Sequence, residues 1–251
     1  MKKISIIIVF ISLFASLSNA QNSQKMRSVG SGKGLIYNRE RLFVGEIHTN
    51  GGNIAYQWGA LKTYYKTTYY QLSLGFLKHP KETRSMPSNL NVTRAFVYGK
   101  QNVLMPLSLV YGEKRYFSEK DNYRGVAVGM SYAVGPNLGL LKPYYIRYEK
   151  SDDKKDIKYS EADSKIFLDK DKITGATPFD RGLNEIKIQP AIHAKLGLHL
   201  DWGAFDEYAR ALEVGFVADY YFKKVPILVD KAQNRSIFVN FYANLQLGKR
   251  K

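Results

Sequence analysis

Apolar and polar residues alternate with a period of two over unusually long stretches of this chain, and that alternation is what most limits its fold. From Glu185 to Asp201, Ile186, Ile188, Ile192, Ala194, Leu196, Leu198 and Leu200 share one face, while Lys187, Gln189, His193, Lys195, His199 and Asp201 share the other. In the next segment Leu212, Val214, Phe216, Ala218, Tyr220 and Phe222 stand opposite Glu213, Gly215, Asp219 and Tyr221. Towards the C-terminal end Val239, Phe241, Ala243, Leu245 and Leu247 alternate with Phe238, Asn240, Tyr242, Asn244 and Gln246. Successive side chains of a strand point to opposite faces, so each segment reads as a strand with one apolar and one polar side. A soluble antiparallel sandwich alternates too. Length separates the two, because these segments run about 10 to 16 residues against the five or six of an ordinary sheet. Aromatic residues such as Tyr56, Trp58, Trp202, Tyr220 and Tyr221 stand near segment ends, where a bilayer has its interfaces. The expected fold is all-β: an antiparallel transmembrane β-barrel of the outer-membrane type with about 8–10 strands, apolar outside and polar in the lumen.

The start of the chain points to export. Met1-Lys2-Lys3 is a positive n-region, Ile4 to Leu17 is an apolar run broken only by serines, and Ser18-Asn19-Ala20 puts small residues before Gln21. Residues 1–20 are therefore expected to be a cleaved signal peptide, since the apolar run is shorter than the roughly 20 residues of a spanning helix. Residues 21–40 are taken as a periplasmic segment or short first strand, and 41–251 as the barrel. No cysteine follows the cleavage point, so lipid attachment there is excluded. After the signal no apolar run approaches the roughly 18 residues of a transmembrane helix, and the mean hydropathy is −0.32. A barrel that divides its strand residues between lipid and a polar lumen averages to such a value. The formal charge of +16 falls by two, to +14, when Lys2 and Lys3 leave. Export excludes nucleic acid as the partner of this charge. The polyanions within reach are lipid A phosphates, acidic glycans and anionic headgroups.

The pattern places strands near 41–49, 53–61, 67–78, 103–117, 123–134, 138–150, 185–202, 208–222 and 236–248. Nine is odd, and outer-membrane barrels favour an even number. A short strand near 33–38 or 92–99 completes ten, of which eight remain if the first two segments instead form a plug-like hairpin. Asn50-Gly51-Gly52-Asn53, Gly135-Pro136-Asn137 and 203–207 are read as tight periplasmic turns. The long connection Ser151 to Asn184 then faces outward as a solvated, protease-accessible loop. Its Asp152, Asp153, Asp156, Asp163, Asp169 and Asp171 lack the spacing and glycine of a calcium loop and are interleaved with lysines. Lys78 to Asn102 is the exception, long yet falling on the periplasmic side, where it packs under or into the lumen.

Several polar groups face the expected lumen: Glu46, His48, His193, Lys195, His199, Glu213 and Asp219. A histidine oriented by a carboxylate could activate a nucleophile, and Ser73, Ser108 and Ser131 are available, but none sits in a recognisable nucleophile context. Compensation of buried charge explains the same residues, with Lys187, Lys195, Arg147, His193 and His199 pairing Glu46, Glu213 and Asp219. His193 and His199 lie about 20 Å apart on one strand, so they share no metal ion, though His48 can approach either. No cofactor or metal is expected. Lys142-Pro143-Tyr144-Tyr145 is a second candidate: Pro143 cannot donate to a ladder, so it marks a bulge or strand break, either a curvature device or a docking notch, with one tyrosine towards lipid or a partner and the other over the lumen.

Lys78-His79-Pro80-Lys81-Glu82, Val97-Tyr98-Gly99-Lys100, Gly125-Val126-Ala127-Val128-Gly129, Leu138-Gly139-Leu140-Leu141-Lys142-Pro143-Tyr144-Tyr145, Arg210-Ala211-Leu212-Glu213-Val214-Gly215 and Leu247-Gly248-Lys249-Arg250 resemble an uncharacterised family of small outer-membrane β-barrel proteins of Bacteroidota. The resemblance spans nearly the whole mature chain. It implies a barrel in the outer membrane and offers no activity or catalytic residue. Three functions are open: a noncatalytic barrel serving envelope architecture or a larger assembly, a narrow channel favouring anions, and a lipid A or phospholipid hydrolase. The expected partners are outer-membrane lipid and lipopolysaccharide, and other outer-membrane proteins or lipoproteins.

Overall fold

The computed structural model describes residues 37–63, 65–85, 95–118, 125–150, 153–160, 167–168, 173–204, 206–230 and 232–251. The expected signal peptide lies outside them. The described chain forms β1 (Arg39–His48), β2 (Gly51–Thr63), β3 (Lys66–Leu77), β4 (Arg84–Ser85), β5 (Phe96–Val97), β6 (Asn102–Tyr116), β7 (Ala127–Pro143), β8 (Tyr145–Lys150), β9 (Asp153–Lys158), β10 (Ile173–Ala176), β11 (Lys187–Asp201), β12 (Tyr208–Tyr221) and β13 (Ile237–Arg250). Eight of these close an antiparallel barrel in the order β1-β13-β12-β11-β7-β6-β3-β2. The fold is all-β, and closure leaves the barrel itself no free edge.

Alternation sorts the wall as the pattern requires. Phe43, Ile54, Leu72, Leu109, Val134, Leu196, Phe216, Val239 and Phe241 are exposed on the outside, and Gln57, Gln71, Ser108, Asn137, Lys195, Glu213 and Asn244 are buried inside. Tyr221, placed among interface aromatics by its position, faces inward and is fully buried.

The nine-segment expectation fails at Gly135-Pro136-Asn137, which is no turn. β7 runs through it as one strand: Ile192 pairs with Pro136 and His193 with Gly135 on the β11 side. On the β6 side the ladder skips from Ser108–Asn137 to Tyr111–Val134. Proline has no N–H to give, so one ladder lapses locally while the other holds the backbone extended. A side chain at Gly135 would strike the Leu109 carbonyl, so only glycine allows that approach. Of the two expected tenth strands, the one near 92–99 does not join the barrel, since its described part, β5, pairs with β4; 33–36 lie outside the described residues. β1 and β2 are staves, not a plug.

Merging two segments changes the parity of every connection before them. The turn at 49–50 and the connections 78–101, 144–186 and 222–236 lie at one end; 64–65, 117–126, 202–207, the start of β1 and the end of β13 lie at the other. The Asn50 turn therefore shares the end of the long loops, and Lys78 to Asn102 is no exception to the rule that long connections share an end.

Among the described residues that end carries strands of its own. β8 pairs with β9 and β10, and Phe96, Ile146, Phe167 and Ile173 make a small buried core outside the barrel. The long connection expected as a solvated loop thus carries its own sheet. The 222–236 connection turns back into the mouth, where Val225 and Ile227 pack with Leu77, Leu104, Leu141, Ala191, Tyr221 and Phe238. Gln101 N–H donates to Ile227 O at 2.8 Å, Val229 N–H to Gly99 O at 2.9 Å and Asn102 Nδ2 to Pro226 O at 2.7 Å. Burying Val225 and Ile227 contributes about 1.5–3 kcal/mol each.

Candidate functional site

Lumen-facing positions recur every second residue on each stave, so charges on distant parts of the sequence meet across the interior. Lys195 on β11 donates to Glu46 Oε2 on β1 at 2.7 Å and lies 3.7 Å from Glu213 Oε1 on β12. Glu213 also accepts from Tyr242 Oη at 2.7 Å and Gln246 Nε2 at 3.1 Å. Glu46 accepts from Asn53 at 2.8 Å. His199 Nδ1 stands 3.3 Å from Glu213 Oε2, an ion-pair distance without hydrogen-bond alignment. Towards the long-loop end His193 Nδ1 meets Asp219 Oδ1 at 2.7 Å, and Asn137 donates to the same oxygen at 2.7 Å.

A further layer lies towards the termini. Lys114 pairs with Glu40 at 3.2 Å and donates to Gln246 at 2.8 Å, while Arg250 binds Asp201 at 2.6 Å. Tyr116 Oη donates to Asp201 Oδ2 at 3.0 Å and lies 3.3 Å from His199 Nε2. Arg250 also donates to the carbonyl of Gly203, tying the 202–207 connection to the barrel.

The structure thus brings Glu46, Lys195, Glu213 and His199 into one network and His193 and Asp219 into another. His48 joins neither; it lines a cavity of about 10 Å³ with His193, Asp219, Ser73 and Ser108, and its Nδ1 finds no partner. That cavity has room for about one water-sized molecule. Ser73 and Ser108 hydrogen-bond each other and Ser131 is buried, so all three serines point inward. Arg147 does not enter the lumen; it pairs with Asp156 in the β8–β9 sheet at 3.1 Å, because β7 ends before it. Lys187, at the first position of β11, is exposed. Glu40, Lys114 and Arg250 were missed by sequence reasoning. Lys114 had a signal, a lysine at the inward parity of β6, whereas Glu40 and Arg250 sat at the margins of recognised segments.

No group of three His, Cys, Asp or Glu among the described residues is arranged to hold a metal ion. Among the described residues the ion pairs balance charge across the lumen.

No family model matches the sequence, and no curated protein matches it. Among solved structures the fold is similar to the N-terminal β-barrel domain of Pseudomonas aeruginosa OprF, with 12% identity, TM-score 0.36, and coverage of 86% of this chain and 98% of that one. It is also similar to Neisserial surface protein A, with 6% identity, TM-score 0.37, and coverage of 84% and 94%. At those scores the assignment of the barrel rests on its own strand pairing.

The second candidate ends a strand. Pro143 is the last residue of β7, opposite Asn102, and Tyr144 N–H donates to Gln101 O at 3.0 Å as the chain leaves for β8. Lys142 is buried, with its ammonium 4.7 Å from the Phe179 ring centre. Neither tyrosine takes the expected place. Tyr144 packs on the Phe96 core and accepts from Val97 N–H at 3.1 Å, and Tyr145 donates to Glu185 at 3.0 Å. Both belong to the folded loop region, because the break at Pro143 carries them out of the barrel wall.

Proposed function

We propose that this chain is a noncatalytic outer-membrane β-barrel, a sealed anchor that holds its folded long-loop end at the cell surface as a docking platform within an envelope assembly. The observation that carries this is the filled lumen: its buried ions are paired across the barrel, its long-loop mouth is stoppered by Val225 and Ile227, and the cavity beside His193 measures about 10 Å³. Small barrels are generally packed by side chains in this way. The apolar outer wall supports a place in lipid, since exposed leucine, phenylalanine and isoleucine on every stave would be costly in water. The export signal, the outer membrane of a Bacteroidota-like envelope and the partner protein belong to the same proposal.

An anion channel needs a continuous wet path, and the paired charges with their apolar stopper weigh against one. A lipid hydrolase needs its acid, base and nucleophile on a surface that lipid can reach, whereas Ser73, Ser108, His193 and Asp219 line a cavity of about 10 Å³ inside the barrel. Planar-bilayer recording of the refolded full chain should show no steady conductance, and affinity purification from detergent-extracted membranes should recover a stoichiometric partner. Steady single-channel steps, or a changed lipid profile in a deletion strain, would replace the proposal with a channel or a hydrolase.

A further inference from the structure

At the termini end the outer wall carries a groove of about 500 Å³ between β1, β2, β3 and β6. Its rim holds three cations, Arg39, Arg41 and Lys62, all exposed. Among the described residues none of the three is ion-paired to a carboxylate. Its apolar side is an aromatic row: Trp58 stacks on Tyr70 at 6.2 Å, and Tyr70 meets Tyr111 at 5.1 Å. The row continues through Tyr56 to Phe43 into the apolar belt. The one acid lining the groove, Glu40, is engaged from within by Lys114 and Gln57, so it does not neutralise the rim.

Cations above aromatic rings that open onto an apolar wall match an amphiphile with an anionic head and acyl tails. Guanidinium groups bind phosphate through paired N–H donors, and Trp and Tyr favour the headgroup level of a bilayer. We infer that this groove binds the phosphodiester headgroup of an anionic glycerophospholipid of the phosphatidylglycerol class, its tails lying along Tyr56 and Phe43. The inference rests on the membrane-spanning reading and on the termini end facing the periplasm, the side on which an outer membrane carries glycerophospholipid.

Trp58 and Trp202 are the chain's two tryptophans, so a Trp202→Phe chain reports from the groove alone. The full chain in this background is refolded into phosphatidylcholine vesicles containing small fractions of acyl-brominated phosphatidylglycerol, phosphatidylcholine or diacylglycerol. Trp58 quenching by the brominated phosphatidylglycerol should exceed that of the other two at equal fraction. Arg39→Gln, Arg41→Gln and Lys62→Gln together should lower the preference by on the order of tenfold or more, while heat-modifiable migration shows that the variant still inserts. A chain that does not insert at all sinks the membrane reading and the site with it. Insertion with equal quenching by the three lipids, or a preference untouched by the triple variant, overturns the site alone and leaves the barrel standing; a groove filled by the chain's own N-terminal residues would give that result. Displacement by lipid A but not by unlabelled phosphatidylglycerol would also overturn it.

Discussion

Lys195 Nζ donates to Glu46 Oε2 at 2.7 Å across the lumen, joining strands that are not neighbours in the barrel through residues 149 positions apart. Both side chains are almost wholly buried. Removing one partner of such a pair leaves a charge without compensation, at a cost of about 3–5 kcal/mol. Lys195→Met should lower the unfolding free energy of the vesicle-refolded barrel by that amount, read as a lower urea midpoint. Adding Glu46→Gln should recover part of the loss, although Glu213, also near Lys195, keeps recovery incomplete. An unchanged midpoint in the single variant would show that the lumen is wet enough to solvate Glu46.

Gly112 makes room for a neighbour's ring. A Cβ there would stand 2.5 Å from Tyr69 Cζ and 2.8 Å from Ala133 Cβ. Gly112→Ala should therefore destabilise by about 1–3 kcal/mol through overpacking. Tyr69→Leu in the same chain should relieve much of it, which thermal unfolding monitored by circular dichroism can check.

The stopper and the ionic lumen are separate seals. Ile227→Asp puts a charge into the apolar mouth and should release the 222–236 connection, read as faster proteolysis there in detergent. Conductance should stay absent, because the layers from Asp219 to Arg250 still fill the barrel. Channel steps in this variant would mean that the apolar stopper was the only barrier.

Asp156 ties β9 to its surroundings. Burial acts to raise its carboxyl, but Arg181, at 3.0 Å, and Arg147, at 3.1 Å, outweigh that and hold it below the usual aspartate range. A carboxyl depressed in the folded state stabilises above its unfolded value and loses that contribution as pH falls through the depressed one. Amide protection in β8 and β9, taken relative to the intrinsic exchange rate at each pH, should accordingly be high at neutral pH and fall only in acid below the ordinary aspartate range. Asp156→Asn should exchange faster at neutral pH and lose the acid step.

The connection parity makes a cellular prediction. The chain has no cysteine, so single substitutions report topology cleanly. Lys81→Cys and Asp180→Cys should both react with an impermeant maleimide on intact cells, whereas Glu207→Cys should react only after permeabilisation. Labelling of Glu207→Cys alone on intact cells would invert the orientation and move the cationic groove to the outer leaflet.

The faces of β11, β12 and β13 were legible in the sequence, because which side a residue takes depends only on its neighbours one and two positions away. Lumen residues such as His193, Lys195, Glu213 and Asp219 could be named for the same reason. The partners could not. Lys195 meets Glu46, and Lys114 meets Glu40, only because closure brings β1 opposite β11 and β6, and register between strands so far apart in the chain leaves no local trace. Gly135-Pro136-Asn137 reads as a turn by every local rule, yet β11 supplies a ladder that keeps it extended. That single difference set the barrel at eight strands and gathered the long connections at one end, while the break at Pro143 sent Tyr144, Tyr145 and Arg147 out of the wall. The sequence by itself determined that this protein is a two-faced β-sheet with a polar interior, since alternation is local chemistry. Tertiary structure decided how many staves close it and which charges neutralise each other, since both depend on pairing between strands that meet only when the barrel shuts.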